Sequence, residues 1–410
     1  MSAAPDAATP VVSAFYDRFP YPGDPLQDGP PPGYNWRWCV DSARAFVFGS
    51  LPPGPRTWRI LDAGCGTGVS TDYLCHLNPG SRVRAVDISA GALEVARERT
   101  RRSGAAERVA DLAIEQRSLL DLAGEGEFDY INSVGVLHHL DQPEGGLAAL
   151  AERLAPGGVL HLFLYADGGR WEIHRTQRAL ALMGVGTGEE GLRLGRRLFG
   201  DLPETNRLRR HHEQRWALDT AADANFADMY LHPQETSYDL ERLFRFVATT
   251  DLSFAGFSNP EVWDPGRLLQ GELLERARAL PPRAQWELVE ALDPDISHFE
   301  FFLVRGELPP EARRDPLRWS DEALLAAGGE RNRCLWGWPS TSLLGPDLQP
   351  LTIEADDLTL LEALDRAPAG TRLADLPLAM GAPERALRAR RLAGDRLLLL
   401  AEAGSFVTDP

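Results

Sequence analysis

Short apolar runs alternate with longer amphipathic stretches between residues 58 and 166. The apolar runs predict strands, and the stretches between them predict helices, most clearly over 90–101 and 143–154. Strands that alternate with helices in this way are typical of βαβ units and a parallel sheet. The five strands predicted here lie at 58–62, 82–87, 111–117, 128–134 and 158–165.

Two more strands complete the predicted sheet. Residues 252–257 predict strand six, and the alternation over 296–304 predicts strand seven. Helical insertions are predicted at about 167–250 and 260–295, at the carboxyl edge of the sheet, where open α/β sheets bind ligands. We therefore expect an α/β fold with a Rossmann-like seven-stranded sheet.

A glycine-rich turn follows the first predicted strand in the run Asp62-Ala63-Gly64-Cys65-Gly66-Thr67-Gly68. Its glycines allow a sharp turn and let a ligand approach the main chain closely. The second strand ends at Asp87, about 20 residues further on, where a carboxylate can accept hydrogen bonds from ribose hydroxyls. A dinucleotide site requires G-x-G-x-x-G, but Val69 stands where the third glycine would be.

This pattern resembles motif I of the class I S-adenosylmethionine (SAM) dependent methyltransferases, with Asp87 in the position of their ribose-binding acid. The Pro156-Gly157-Gly158 turn before strand five is also similar to that family. Much of 15–305, including the F-Y-D-R-F-P-Y-P and L-H-P-Q-E runs, resembles a bacterial group of uncharacterised methyltransferases best represented in cyanobacteria. The resemblance implies a class I methyltransferase sheet, SAM as cofactor and S-adenosylhomocysteine as product.

The resemblance also implies which residues hold the cofactor. The turn would line the methionine part of SAM, and the residues after strands two, three and four would meet the adenosine and the methyl group. The residues carried over on this basis are Asp62, Gly64, Cys65, Gly66, Gly68, Asp87, Ile88, Ser118, Leu119, Ser133 and Val134.

Residues 1–50 concentrate aromatic residues between prolines, whereas disordered tails are poor in aromatics. We expect this segment to pack on the rest of the protein, as a brace or as a lid. Leader segments in the resembled family usually close over SAM, which favours the lid. On that basis Tyr16, Tyr21 and Trp36 join the predicted cofactor-binding residues.

Methyl transfer gains most from alignment and water exclusion, so no universal catalytic residue is required. The V-L-H-H-L run at 136–140 is nevertheless common in small-molecule methyltransferases, and histidine is readily poised as a base near neutral pH. His138 is the histidine expected to face the pocket, although it could equally be a packing residue. Tyr165, at the end of strand five, and His232 complete the predicted catalytic set.

Composition and charge limit the partners and ligands that we expect for this protein. A formal net charge of −17 argues against a nucleic acid, because phosphate binding depends on Lys and Arg. No N-P-P-Y run follows strand four, which disfavours nucleic-acid bases and glutamine amides as acceptors. Four scattered cysteines and the absence of H-x-x-x-H spacing suggest no metal. The chain shows no signal peptide and no membrane-length apolar run, so we expect a cytoplasmic protein without a membrane partner.

After Arg305 the sequence becomes a stretch that contains prolines and arginines. We predict a linker over 307–349 and a small domain over 350–410. Helices at 358–364, 373–380 and 383–392, with a hairpin of 397–400 and 406–407, resemble a winged helix. A DNA-binding interpretation would place Arg385, Arg388, Arg390 and Arg391 on a recognition helix. Such a charge run is more often a solvated face, so docking to a partner or to the catalytic domain is favoured.

These patterns predict a SAM-dependent methyltransferase that moves a methyl group to a nitrogen or oxygen of a small molecule by in-line displacement. Two alternatives stay open. One is a protein or peptide methyltransferase whose C-terminal domain docks the polypeptide. The other is a SAM-binding regulatory protein. The sequence leaves the oligomeric state open.

Overall fold

The computed structural model describes residues 9–31, 35–52, 56–122, 124–346 and 349–401. Its centre is one sheet of seven strands: β1 (Arg59–Ala63), β2 (Arg82–Asp87), β3 (Asp111–Gln116), β4 (Phe128–Val134), β5 (Leu154–Tyr165), β6 (Ser253–Phe257) and β7 (His298–Val304). The order is β3-β2-β1-β4-β5-β7-β6. Strands β1 to β5 pair in parallel, and β7 runs antiparallel to both of its neighbours. The predicted seven-stranded α/β sheet is confirmed.

Helices cover the sheet and extend beyond it. Up to the last strand of the sheet they are α1 (Thr9–Arg18), α2 (Val40–Phe48), α3 (Val69–Leu77), α4 (Ala90–Ser103), α5 (Pro143–Arg153), α6 (Trp171–Leu182), α7 (Glu189–Asp201), α8 (Arg207–His211), α9 (Asp223–Leu231), α10 (Leu240–Val247), α11 (Gly271–Arg278) and α12 (Pro282–Leu292). Helix α8 continues into one π-helical turn over His212–Trp216. The connection between β5 and β6 contains the helices α6 to α10.

Both faces of the sheet are apolar because helices cover both. Neighbouring residues on a strand point to opposite faces, and two separate core clusters follow from this. Leu61, Ile131 and Leu160 belong to one cluster. Ile60 and Tyr130 belong to the other, with Val159 and Phe302.

The leader, residues 9–31, packs on the sheet domain through α1. Phe15 and Phe19 are buried in the same apolar cluster as Phe226 of α9. Asp17 accepts hydrogen bonds from the Ser89 hydroxyl (2.7 Å) and the Gly91 amide (3.1 Å) at the beginning of α4. A carboxylate in this position complements the positive end of the helix dipole.

A buried ion pair joins the segment before α2 to the sheet. The Arg37 guanidinium lies 2.6 Å from the Glu300 carboxylate on β7. Ser258 and His161 also bond Glu300, at 2.8 and 3.1 Å. Burial alone would raise the pKa of Glu300, but His161 and Arg37 lower it to about 2.

We expect Glu300→Gln to lower the free energy of unfolding by about 3 kcal/mol, because it leaves the Arg37 charge buried without its partner. In the parent, the depressed pKa adds stability above pH 4.5, the ordinary value for Glu, which is lost as the pH falls towards 2. Urea unfolding measured from pH 4.5 downwards should show that the free energy of unfolding falls less steeply with pH in the variant than in the parent. Glu287→Gln, which breaks an exposed pair with Arg283, is the control and should cost under about 1 kcal/mol. Equal losses from both variants would refute the prediction.

The chain after β7 forms a further cluster of helices and short strands, with Leu360, Leu376 and Leu392 in its core. Leu324, Leu335 and Leu343, from the predicted linker, enter the same core. The elements are α13 (Glu311–Arg314), α14 (Asp321–Ala326), α15 (Ala355–Arg366), α16 (Ala382–Gly394), β8 (Gly328–Arg331), β9 (Ser342–Leu344), β10 (Pro350–Thr352) and β11 (Leu398–Ala401). A winged helix and its boundaries stay predictions.

One detail of this region differs from the prediction, and another is not tested. Only Leu373–Asp375 is helical within 373–380, because the Arg385 guanidinium occupies the carbonyls of Leu373 and Ala374, each at 2.7 Å. Strand β11 pairs with β8, while 406–407 lie outside the described residues.

The arginines of the predicted basic helix form hydrogen bonds and ion pairs within the protein. Arg385 is 6% exposed and binds carbonyls. Arg388 and Arg391 pair with Glu354, and Arg390 pairs with Asp321 at 2.6 Å. This arrangement favours the interpretation that they stabilise the fold over a DNA-reading role. Within the described ranges, no helix is both long and apolar enough to cross a membrane.

Candidate functional site

The glycine-rich turn connects β1 to α3 and is fixed to β2. The amides of Gly64 and Cys65 donate to the Val86 carbonyl at 2.8 and 3.0 Å. Gly66 has φ +51°, and a Cβ there would lie 2.3 Å from the Tyr21 carbonyl oxygen. Gly68 has φ +80°, and a Cβ there would meet Ala96 of α4 at 2.8 Å. The turn therefore requires glycine both for its backbone angles and for close packing.

A cavity lies against this turn at the carboxyl ends of β1, β2 and β4. Many of the predicted cofactor-binding residues line it: Gly64, Cys65, Gly66, Asp87, Ile88, Ser118, Leu119, Val134, Tyr16 and Tyr21. Its wall also includes residues that the sequence prediction missed, among them Trp38, Arg117, Val136 and His139.

The lining fits a nucleoside, with a carboxylate for the ribose and apolar side chains for the base. Asp87 reaches the cavity while accepting hydrogen bonds from the Gly66 amide (2.8 Å) and the Ser89 amide (2.9 Å). Each carboxylate oxygen has a second lone pair for a ribose hydroxyl. Burial raises the pKa of Asp87, and these two amides oppose the rise. Ile88 and Leu119 supply apolar surface for a base.

The leader closes one side of the cavity. The Tyr21 carbonyl accepts from the Thr67 amide at 3.0 Å, and the Pro22 carbonyl accepts from the Thr67 hydroxyl at 2.7 Å. Arg99 donates to the Asp24 carbonyl at 2.8 Å. Tyr16 and Tyr21 are thereby held in the cavity wall. This placement is consistent with the lid predicted for the segment.

Four predicted cofactor-binding residues lie away from the cavity wall. Asp62 lies beneath the turn and accepts from Ser70 (2.7 Å), Thr71 (2.6 Å) and Asn132 (2.8 Å). Gly68 begins α3 and packs on α4. The structure therefore gives both residues a role in shaping the turn. Burial raises the pKa of Asp62.

Ser133 and Trp36 are the other two. Ser133 is 1% exposed, because its neighbour on β4, Val134, is the residue that faces the cavity. Trp36 is fully buried against Phe302, with ring centroids 5.7 Å apart. Trp38, two residues later, lines the cavity in its place and donates from Nε1 to the Asn132 side chain at 3.0 Å.

Of the two adjacent histidines, His139 and not His138 faces the cavity. His139 lines the cavity, whereas His138 is fully buried and stacks on Tyr165 with ring centroids 3.8 Å apart. Neither ring nitrogen of His138 has a hydrogen-bond partner among the described residues. Its burial lowers its pKa well below the ordinary value. The expectation that His138 faces the pocket is wrong.

The other two predicted catalytic residues lie behind His139. The His232 ring is 3.8 Å from the His139 ring. Tyr165 donates to one oxygen of Asp228 at 3.3 Å, and Tyr16 donates to the other at 2.8 Å. Asp228, on α9, is 4% exposed, and its burial raises its pKa. No local motif marks Asp228 in the sequence.

One nitrogen of each of His139 and His232 and an oxygen of Asp228 lie within 4.8 Å of one another. Such a group has the composition of a metal site. The Gln234 amide, however, donates to His232 Nδ1 at 3.1 Å. A neutral ring that accepts at Nδ1 carries its proton on Nε2, so His232 is in the wrong form to bind a metal through Nε2. The contacts favour hydrogen bonding over metal coordination.

Known proteins resemble this chain in sequence. Residues 61–160 match a family model described as a methyltransferase domain. An uncharacterised protein of Synechococcus sp. is 49% identical over 409 residues, covering 98% of this chain and 95% of the relative. A ubiquinone biosynthesis O-methyltransferase of Xanthomonas axonopodis pv. citri is 33% identical over 134 residues, covering 32% of this chain and 50% of that enzyme.

A solved structure resembles the whole fold. The structure of PKMT2 from Rickettsia typhi in complex with AdoHcy matches with a TM-score of 0.62 at 17% identity. The match covers 91% of this chain and 77% of that one, so it extends beyond the seven-stranded sheet.

Proposed function

This chain belongs to the class I SAM-dependent methyltransferases, and we propose that it methylates an oxygen or nitrogen of a small-molecule acceptor. Bound SAM supplies a methyl group on a sulfonium, which an aligned acceptor attacks in line. The observation that carries the proposal is the position of His139, whose ring lines the same cavity as Asp87 and the glycine-rich turn.

A hydroxyl or an ammonium group must lose a proton to react, and His139 is placed to take it. Its Nδ1 lies 2.9 Å from the Gln234 carbonyl oxygen, which can only accept a hydrogen bond. The proton of the neutral ring is therefore on Nδ1, and Nε2 keeps its lone pair. Burial lowers the pKa of His139, and nearby Asp228 opposes the shift. The neutral, proton-accepting form is thus favoured at pH 7.

The enclosure of the site supports a small acceptor. His139 is only 5% exposed, and Val12, Tyr16, Tyr21 and Pro22 of the leader form part of the cavity wall. These leader residues narrow the space around His139, which favours a small acceptor over a folded polypeptide. A small molecule needs only to enter the cavity.

Isotope transfer tests the proposal. The full chain is incubated with [methyl-³H]SAM and a bacterial extract separated into metabolites and polypeptides, with the His139→Asn variant as control. We expect label in the metabolite fraction with the parent and far less with the variant.

Two other results would contradict the proposal. Label confined to polypeptides would indicate a protein methyltransferase. Calorimetric binding of SAM with no labelled product in either fraction would indicate a regulatory protein.

A further inference from the structure

A buried carboxylate lies behind the cavity, close to His139. Asp228, on α9, is 4% exposed, and one of its oxygens lies within 4.8 Å of a ring nitrogen of His139. Asp228 is not among the described residues that line the cavity, whereas His139 is. Its charge is therefore placed to act on the proposed base rather than on the acceptor.

Two tyrosines from distant parts of the chain hold Asp228 in place. Tyr16, on α1 of the leader, donates its hydroxyl proton to one carboxylate oxygen at 2.8 Å. Tyr165, at the end of β5, donates to the other oxygen at 3.3 Å. Burial raises the pKa of both tyrosines, so both hydroxyls keep their protons near pH 7. Burial also raises the pKa of Asp228, but the bond from Tyr16 opposes that rise because it favours the charged carboxylate.

Several ionisable groups surround His139. Burial lowers its pKa, and among the nearby charges Asp228 opposes this most. Glu235 also raises the pKa and Arg170 lowers it, and these two side chains form an ion pair at 3.1 Å. The two imidazole rings that contact His139 are kept neutral by burial, which lowers their pKa; they belong to His138 and His232. Asp228 is therefore the nearby charge that is least compensated.

We infer that Asp228, held by Tyr16 and Tyr165, is a positioning residue that stabilises protonated His139 during methyl transfer, an inference that rests on the proposed function. The hydrogen-bond partners of Asp228 are neutral hydroxyls, so its charge stays available. An opposite charge within about 4–6 Å favours the charged form of a titratable group. The charge of an imidazolium is shared by both ring nitrogens, so the attraction acts whichever nitrogen lies nearer.

The bond changes balance. A lone pair of the acceptor oxygen or nitrogen forms the new bond to the methyl carbon, and the carbon–sulfur bond breaks with its electron pair passing to sulfur. The acceptor proton moves to Nε2 of His139, giving an imidazolium. This cation forms on a side chain that is only 5% exposed, where an unpaired charge is costly. Asp228 supplies the opposite charge.

The pKa of His139 measures the effect of Asp228 without turnover. Protein labelled with ¹⁵N-histidine is saturated with S-adenosylhomocysteine and titrated, and the ring is assigned by its absence in His139→Asn. We expect Asp228→Asn to lower the pKa of His139 by about 1 or more. The matched control is Asp223→Asn on the same helix, where Asp223 forms an exposed pair with Arg196. The control should change the pKa by less than about 0.3, because solvent and salt screen an exposed charge. Equal shifts from the two variants would overturn the inference.

The Asp228→Asn variant should fold, because asparagine keeps the shape of the side chain. Its carbonyl oxygen can accept from one tyrosine hydroxyl, and its N–H can donate to the oxygen of the other. A melting temperature and a SAM affinity close to those of the parent verify this before the titration is interpreted.

The pH profile of turnover separates a charge effect from a structural one. In Asp228→Asn the acid limb of kcat should move to lower pH, because protonated His139 is less stable. The plateau of kcat should fall by up to about tenfold, with KM for SAM unchanged. A fall in kcat at every pH with the acid limb in place would overturn the inference. An acid limb that persists in His139→Asn would instead contradict the base assigned in the proposed function.

A double-mutant cycle tests the contribution of the leader. Tyr16→Phe removes the shorter hydrogen bond to Asp228, so it should lower kcat several-fold in the parent and much less in the Asp228→Asn background. Equal losses in the two backgrounds would show that Tyr16 does not act through Asp228 and would overturn that part of the inference.

Discussion

Replacing His139 with asparagine should lower kcat by about 100-fold to 10,000-fold, the usual contribution of a general base. The asparagine amide can still donate to the Gln234 carbonyl, so the turn carrying residue 139 should stay joined to residues 232–236. Asparagine has no lone pair at the position of His139 Nε2, so it cannot take the proton of the methyl acceptor. Initial rates on the labelled metabolite fraction measure the loss, and calorimetry should show unchanged SAM affinity.

The pH dependence gives a second readout of the same variant. Burial lowers the pKa of His139 below the ordinary 6.5, so the proton-accepting ring persists to lower pH than a free histidine would. The acid limb of the parent kcat profile should therefore lie below pH 6.5. That limb should disappear in His139→Asn.

His138→Asn is the matched control, because it removes the same ring one residue away. His138 does not line the cavity and contacts Tyr165 instead. Its loss should lower the melting temperature while leaving kcat of the folded protein within a few-fold of the parent. A larger loss of kcat from His138→Asn than from His139→Asn would reverse the assignment.

The sheet and the glycine-rich turn were predictable because their signals are local. Each strand is a short apolar run that helices cover on both faces, and the turn needs glycine at Gly66 for its own backbone angle. The long connection between β5 and β6 was predicted only as helical, since its helices pack with residues distant in sequence; Phe226 of α9, for example, shares a core cluster with Phe15 of the leader.

The direction of single side chains was not predictable, because it depends on contacts distant in sequence. The Thr236 amide binds the His138 carbonyl, and Gln234 binds His139, almost 100 residues away along the chain. Those bonds decide which histidine meets the cavity. Asp228 stands alone on α9 and becomes significant only when Tyr16 and Tyr165 converge on it.

Asp87→Ala should weaken SAM binding by about 1.5–3 kcal/mol, the range for hydrogen bonds to a charged group. This corresponds to a Kd about 10-fold to 150-fold higher. The physical reason is the loss of the only carboxylate in the described cavity lining, which would otherwise accept from the ribose hydroxyls. Asp87→Asn keeps one acceptor oxygen and should lose less. Calorimetry with SAM and with S-adenosylhomocysteine measures both variants.

A loss of SAM affinity through the missing ribose contact must be distinguished from a loss through a distorted turn, because Asp87 also accepts hydrogen bonds from the amides of Gly66 and Ser89. Asp17→Ala supplies that separation. Asp17 bonds the Ser89 hydroxyl and the Gly91 amide at the same end of α4 but does not line the cavity. If Asp87 binds ribose, Asp87→Ala should weaken both ligands far more than Asp17→Ala at equal melting temperature. Similar losses from the two variants would mean that Asp87 acts by shaping the turn, and ribose recognition would then have to come from the backbone of Gly64, Cys65 and Gly66.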